Sequence, residues 1–318
     1  MPIWDKMKRI IWLIMGLCMG FQGLNGQNWM VQGTIEQAEE GTVWLASYHG
    51  DRFRVIDSMQ TSSGFFYFVL PEDTPPGIYR IIYADRMGEV RYQNRFVEFI
   101  FHAENMEIMI ASSETGPVPY FENSLENRVY KEFMDFELVY EAEVMDLYGK
   151  LYPGRSDTED QDSLVDRYNE LQRERDAFMD SLTRQYPDLF AVRIMNAFRS
   201  PYIPGEMSHL QRIDTLKQCF FDHASIEDPA LLAAPVYTYK LIDYLSLYKD
   251  LSLDMAEQEE QFIQAVDRIM VHVSQDQELR GFVAEFLLEG FEMLNMEKVQ
   301  MHLVDYSLDE ACESDIVE

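Results

Sequence analysis

Cysteine is scarce in this sequence. The 318 residues include three cysteines, Cys18, Cys219 and Cys312, and no Cys-x-x-Cys pair. Thiol–disulfide exchange needs two thiols close together, one of them a stabilised thiolate. The sequence therefore predicts no redox activity of its own. Two alternatives stay open for Cys219, which lies among apolar residues: it is an inert buried thiol, or it pairs with Cys312 in a disulfide.

Motifs of other catalytic sites are missing as well. The six histidines form no His-Glu-x-x-His and no other close ligand pair, and no serine lies in Gly-x-Ser-x-Gly. No glycine-rich loop of the kind that holds phosphates occurs. The sequence thus predicts no metal, no cofactor and no catalytic residue. Carboxylates are so numerous that a hydrolase with a pair of acids stays an alternative.

Basic residues are few compared with acidic ones. The sequence has 26 Lys and Arg against 56 Asp and Glu, a formal net charge of −30. A surface this acidic repels phosphate backbones, which argues against nucleic acid as a partner. With 47% hydrophobic residues the composition is that of a globular protein, and the length suits two domains.

Long apolar runs are confined to the N-terminus. Three basic residues precede residues 10–21, an apolar segment too short to span a bilayer as a helix. We therefore predict that residues 1–26 are a secretory signal and that the protein resides in the periplasm or cell envelope. No later run approaches the length of a membrane span, so the exported protein is not expected to be embedded in the membrane.

Two alternatives concern this N-terminal segment. One is an anchor that is not cleaved. The other is lipid attachment at Cys18, which the sequence disfavours because the preceding residue, Leu17, is not small. Cys18 also lies inside the apolar run and not at its end.

The front of the chain has the period of β-strands. From residue 28 to 111, short aromatic and β-branched runs alternate with turn signals such as Pro75-Pro76-Gly77. About seven closely spaced strands of this kind predict an antiparallel β-sandwich or barrel. A linker through Pro117 and Pro119 is expected over residues 112–122.

The back of the chain has the period of helices. Asn123 with Glu126 has the spacing of a helix-capping pair, and one apolar face follows at intervals of three and four residues. An all-helical domain of six to eight helices is predicted over residues 123–306, followed by an acidic tail, 307–318. The whole chain is thus predicted to be an α+β protein of two domains, which meet through Tyr120, Phe121 and the first helix.

Both parts resemble known families. The segments that carry the resemblance are Gly64-Phe65-Phe66-Tyr67-Phe68, Pro76-Gly77-Ile78-Tyr79-Arg80, Ser124-Leu125-Glu126-Asn127 and Asp228-Pro229-Ala230-Leu231-Leu232-Ala233-Ala234-Pro235-Val236. The front is similar to the small β domain of unknown function at the N-terminus of exported thioredoxin-like proteins of Bacteroidetes. The back is similar to the helical domain of unknown function that precedes their thioredoxin or redoxin domain.

The resemblance implies a role without redox chemistry. In that family the thioredoxin domain, with its Cys-x-x-Cys, follows where this sequence stops, so no redox residue of the family has a counterpart here. Two alternatives stay open: a family member that has lost this domain, or a truncated reading frame. A non-catalytic accessory or binding module of an envelope thiol–disulfide system is therefore expected, with a protein partner or client. The alternatives are a carboxylate-dependent hydrolase and a structural or ligand-binding envelope protein for peptide or glycan. Exposed aromatic residues on one strand face would favour the ligand-binding alternative, with these four as candidates: Trp44, Tyr48, Tyr79 and Tyr83. Packing in the core is the expected role of these residues.

Overall fold

The structure is a computed structural model. It describes residues 28–314 except positions 37, 39, 88–90, 152–160, 224–225 and 274. In this part of the chain eight β-strands come first and eight α-helices follow, which confirms the α+β layout in two parts. The predicted signal, residues 1–26, lies outside the described residues. Among the described helices, none combines the length and the apolar character that crossing a membrane requires.

The strands form two four-stranded sheets. Their bounds are β1 (Trp29–Ile35), β2 (Gly41–His49), β3 (Arg52–Thr61), β4 (Phe65–Leu70), β5 (Gly77–Met87), β6 (Arg91–Phe101), β7 (Met106–Ser113) and β8 (Gly116–Phe121). The first sheet has the order β4-β1-β7-β8 and the second β3-β2-β5-β6. All neighbours are antiparallel except β1 and β7, which are parallel. Two separate sheets make this part a sandwich and not the closed barrel that the pattern also allowed.

Side chains from both sheets meet in one apolar core. Along β1, β4 and β7 alternate residues are buried in this core, as the period of two predicts. Gly33 on β1 allows the closest approach in this core, because a Cβ at this position would lie 1.9 Å from the carbonyl oxygen of Ile108 on β7. The largest fully buried side chains of the sandwich are Leu45, Phe66, Phe68, Ile81, Phe101 and Ile108.

The segment predicted as a linker, residues 112–122, contributes the eighth strand instead. β8 pairs with β7 in the register Ile110↔Pro119 and Ser112↔Pro117. Proline lacks an N–H, so strands tolerate it only at an edge, where the nitrogen faces away from the neighbour. β8 is an edge strand of the first sheet, and both prolines occupy the same side of it. The two prolines are typical of a loop, and for this reason the sequence pattern did not predict the strand.

The helical part contains α1 (Leu125–Leu151), α2 (Gln161–Gln185), α3 (Phe190–Ala197), α4 (His209–Cys219), α5 (Val236–Ser246), α6 (Met255–Val271), α7 (Gln277–Met293) and α8 (Glu297–Ser314). A short 3₁₀-helix covers Pro229–Ala233. Eight α-helices in the described residues agree with the predicted number. α8 continues beyond residue 306 into the segment predicted as an acidic tail, and residues 315–318 lie outside the described residues.

Helix starts follow local capping chemistry. The Asp254 side chain accepts the backbone N–H of Glu257, and the Glu257 side chain accepts the backbone N–H of Asp254. These two hydrogen bonds form a capping box at the start of α6. Ser208 and Gln211 do the same for α4. For α1 the predicted pair of Asn123 and Glu126 is wrong: the side chain of Ser124 accepts the N–H three residues on, and Glu126 is directed to another helix.

The main helical core extends into the sandwich. It combines buried side chains from nearly every helix with Ile78 of β5 and Ile100 of β6, which are 2% and 0% exposed. Both isoleucines lie on the outer face of the second sheet, since their neighbours Tyr79 and Phe101 point into the sandwich core. The two parts therefore share apolar packing and are not merely tethered.

Substitutions in α1 test which face of this helix is buried. Phe133 is 2% exposed and packs in the main core, whereas Leu138 on the same helix is 72% exposed. We expect Phe133→Ala to lower the free energy of unfolding by about 3–5 kcal/mol, because it leaves a cavity. Leu138→Ala should change it by less than about 0.5 kcal/mol. Urea unfolding measures both, and equal losses would contradict the assigned face.

Candidate functional site

Cys219, one of the two candidate disulfide residues, ends α4. Its thiol is partly buried and forms no disulfide with another cysteine that the structure describes. Burial, with a smaller contribution from Asp222, raises the pKa of this thiol above its ordinary value, which makes it a weak nucleophile at neutral pH. The side chain of Cys312 lies outside the described residues. The pairing of the two cysteines therefore stays a prediction.

Other chemically suggestive groups have structural partners. Burial lowers the pKa of Lys240 to about 8, but its ammonium donates to the carbonyl oxygen of Ala197 at the end of α3 and lies 5.0 Å from the ring centroid of Phe220. This lysine thus satisfies a helix C-terminus. Within the described ranges, no three His, Cys, Asp or Glu side chains are grouped to hold a metal ion.

The first turn of α1 joins the sandwich to the helices. The side-chain oxygen of Asn127 accepts the N–H of Ile100 at 2.8 Å, and its amide nitrogen donates to the carbonyl oxygen of the same residue at 2.7 Å. That nitrogen also donates to Ser124 Oγ at 2.8 Å. Because β6 is an edge strand, the Asn127 side chain takes the place that a neighbouring peptide would occupy.

Glu126 extends this junction to a second helix. Its carboxylate, which is 4% exposed, accepts the N–H groups of Phe190 and Ala191 at 2.9 and 2.7 Å. These are the first two residues of α3, where a helix presents unpaired N–H groups and favours a negative charge. His102, in the turn after β6, contacts the same carboxylate at 2.5 Å. One side chain thereby links α1, α3 and the sandwich.

A second contact lies at the tip of the β2–β3 hairpin. The N–H of Gly50 donates to the carbonyl oxygen of Leu232 at 2.7 Å, and the Thr238 hydroxyl donates to the carbonyl oxygen of Gly50 at 3.1 Å. Gly50 has φ +64°, and a Cβ there would lie 2.5 Å from the Phe282 ring. Both the conformation and the space require glycine at this turn.

These contacts correct the predicted contact between the two parts. The first helix does take part, through Glu126 and Asn127. Tyr120, in contrast, is 54% exposed, and Phe121 packs against the sandwich core. The packed surface lies on the outer face of the second sheet, and no helix in the described part of the chain packs on the outer face of the first sheet.

That uncovered surface, called here the open face, consists of the outward residues of β4, β1, β7 and β8. Their positions follow from strand register: Phe65 pairs with Thr34, Thr34 with Met109, and Met109 with Tyr120. Side chains paired in this way lie about 5 Å apart, so they form one continuous surface. Six large apolar side chains on it are 41–54% exposed: Met30, Phe65, Tyr67, Val69, Met109 and Tyr120.

Two acidic residues lie beside this apolar surface. Glu107 on β7 is opposite Glu122, whose N–H donates to the Glu107 carbonyl oxygen at 3.2 Å. Burial, a hydrogen bond with Glu122 and repulsion from its charge all raise the pKa of Glu107. Of the face's outward residues that the structure describes on the four strands, none is Lys or Arg.

The four aromatic candidates do not form the open face, and two of them have the core packing that was expected. Tyr79 and Tyr83 are buried in the sandwich core, while Trp44 and Tyr48 are partly buried on the second sheet. The open face is not evident from the sequence, because β4 reads Phe-Phe-Tyr-Phe-Val-Leu. A strand that is apolar on both sides does not reveal by its period which side is exposed.

The comparison with known families concerns the front of the chain. Residues 30–130 match the family described as a domain of unknown function (DUF4369). The matched segment covers nearly the whole sandwich and continues into the first turns of α1, so it includes Ser124, Glu126 and Asn127. This agrees with the resemblance of the front to a β domain of unknown function. Among curated proteins, none matches the chain.

Removal of the Asn127 side chain tests the junction. We expect Asn127→Ala to lower the free energy of unfolding by about 2–4 kcal/mol, because it leaves the Ile100 N–H and carbonyl without partners. Beyond residue 26 the only tryptophans are Trp29 and Trp44, both on strands of the sandwich. Tryptophan fluorescence therefore reports the sandwich, and circular dichroism at helical wavelengths reports the helices.

The two signals should change together in the parent protein and separate in the variant. Asn123→Ala, an exposed position in the same segment, is the control and should leave both transitions in place. Coincident transitions in Asn127→Ala, with a loss below about 0.5 kcal/mol, would show that this amide does not hold the parts together.

The raised pKa of Cys219 leads to a prediction about activity. We expect the exported protein not to reduce insulin disulfides, since thiol–disulfide turnover needs an attacking thiolate and a resolving thiol. The double variant Cys219→Ser, Cys312→Ser should still fold, as judged by circular dichroism. Insulin reduction that disappears in either single variant would contradict this prediction. Thiol titration of the denatured, unreduced protein separates free cysteines from a disulfide.

Proposed function

We propose that the protein is a non-catalytic binding module of the cell envelope that presents the open face to a protein partner or client. The observation that carries this proposal is the group of six large, exposed apolar side chains on one sheet. Contiguous apolar surface of this kind marks interaction sites in soluble proteins. The helices pack on part of the opposite sheet, through Ile78 and Ile100, and none of the helices that the structure describes packs on the open face.

The geometry also favours docking onto the face over pairing with an edge strand. Pro117 and Pro119 remove N–H donors from the free edge of β8. At the other edge, the N–H of Tyr67 on β4 is directed at Met59 Sδ of β3, 3.1 Å away. Both edges of the first sheet are thus poor templates for an added strand, and a partner is left with the apolar face.

We further propose that this partner belongs to a thiol–disulfide system. The resemblance of the chain to the front and middle parts of exported thioredoxin-like proteins supports this assignment. A binding module without its own redox motif would bring a client or an oxidoreductase to the envelope system. The Cys-x-x-Cys chemistry would then belong to the partner.

In-cell photo-crosslinking tests the proposal. We expect a photo-reactive residue in place of Tyr67 or Tyr120 to give discrete crosslinked products, because both side chains lie on the open face. The matched control position is Val55, which is 55% exposed but on the second sheet. Crosslinks to a protein that carries Cys-x-x-Cys would support the thiol–disulfide assignment. Equal crosslinking from all three positions would overturn the binding role of this face.

A hydrolase is a second candidate, favoured by the Glu107–Glu122 pair. Two adjacent carboxyl groups, one with a raised pKa, are the elements of general acid and base catalysis. The two carboxyl groups lie on an open sheet face that water reaches, whereas catalytic sites usually exclude water. This position favours a binding role over catalysis. Polysaccharide hydrolysis by the purified protein that Glu107→Gln abolishes would establish the enzymatic alternative.

A further inference from the structure

We infer that the occupant of the open face is a cationic, apolar polypeptide segment that lies across its strands. This inference rests on the proposed binding role and adds the chemistry of the partner. It follows from the charge of the face, its size and the state of its edges.

The charge of the face determines the sign of the partner. The outward residues of the four strands are apolar or neutral except for acids, with Glu107 and Glu122 side by side and Glu36 at the end of β1. The Glu36 carboxylate accepts the N–H of Ser112 at 3.3 Å, so it lies beside β7. The chain as a whole has a net charge of −30. Complementary potential therefore attracts Lys and Arg and repels acidic segments.

The aromatic side chains add to this preference. Phe65 and Tyr67 lie side by side on β4, with ring centroids 6.3 Å apart, and Tyr120 lies across the sheet. The face of an aromatic ring attracts a Lys or Arg cation within about 6 Å. A segment in which cationic residues are interspersed with apolar ones would contact acids, rings and aliphatic side chains together.

The size of the face argues against a second copy of this chain. Four strands spaced about 4.8 Å apart and about six residues long give a flat area of roughly 400 Å². Stable protein interfaces bury roughly 800 Å² per partner. Two identical faces would also place the acids of one copy against those of the other. A single peptide segment fits this area, and a symmetric dimer does not.

Matched synthetic peptides test the chemistry of the occupant. The probes are fluorescent peptides in which leucine alternates with lysine, with glutamate or with serine, and fluorescence anisotropy measures their binding to the exported full chain. We expect the lysine peptide to bind at least about tenfold more tightly than the glutamate peptide, a difference of about 1.4 kcal/mol. The serine peptide should lie between them, and added salt should weaken the lysine peptide most.

Variants then assign the binding to the face. Tyr67→Ser with Met109→Ser should weaken the lysine peptide about tenfold or more. Glu107→Gln with Glu122→Gln should weaken the lysine peptide and so reduce the preference for lysine over serine. The control, Val55→Ser with Ile56→Ser, removes exposed apolar side chains from the second sheet and should change nothing. Circular dichroism checks that each variant is folded.

The outcomes separate this inference from the proposed function. Equal binding of the lysine and glutamate peptides, or binding that the Tyr67 and Met109 substitutions leave intact, overturns the inference of a cationic partner. In-cell crosslinks from Tyr67 that persist in that case would still support a partner on this face, of different chemistry. If Tyr67 gives no discrete crosslinks in cells, the proposed function itself is overturned.

Discussion

The arrangement of the molecule depends on the pairing of one side chain with one strand residue. Asn127 forms hydrogen bonds with both the N–H and the carbonyl of Ile100 on the edge strand β6. Without this side chain, these two backbone groups would have no neighbouring strand to pair with. The side chain of Ile100 enters the helical core. The same residue thus joins the two parts by hydrogen bonds through its backbone and by apolar packing through its side chain. Buried amide pairing of this kind is costly to lose, because both partners then remain unsatisfied.

The junction also determines which sheet faces solvent. Glu126 directs the start of α3 toward the sandwich, and the Gly50 turn holds the 3₁₀-helix and α5 against the same sheet. The helices therefore pack on the second sheet, and within the described residues no helix packs on the outer face of the first sheet. The apolar surface proposed as a binding face is a consequence of where these few polar contacts lie.

Much of the fold was predictable from the sequence, and the exceptions have physical reasons. The change of period near residue 123 separated strands from helices, because amphipathic patterns differ between the two. β8 was missed because Pro117 and Pro119 have the signals of a turn, and only the neighbouring strand explains why they are tolerated. Glu126 has the spacing of a capping residue, but its partners are Phe190 and Ala191, more than sixty residues away. Local rules cannot find such long-range contacts, and they cannot tell which side of a fully apolar strand such as β4 is exposed.

The parallel pairing of β1 with β7 has a consequence for how the chain folds. Val31 of β1 lies opposite Met106 of β7, and β1, which lies between β4 and β7 in the first sheet, is the earliest strand that the structure describes. When the chain emerges with its N-terminus first, β1 lacks one neighbour until five further strands have passed. Sheets with such long loops to close form slowly, because chain entropy is lost before the contacts form. The sandwich is therefore completed late, and its apolar strands are exposed to wrong pairings in the meantime.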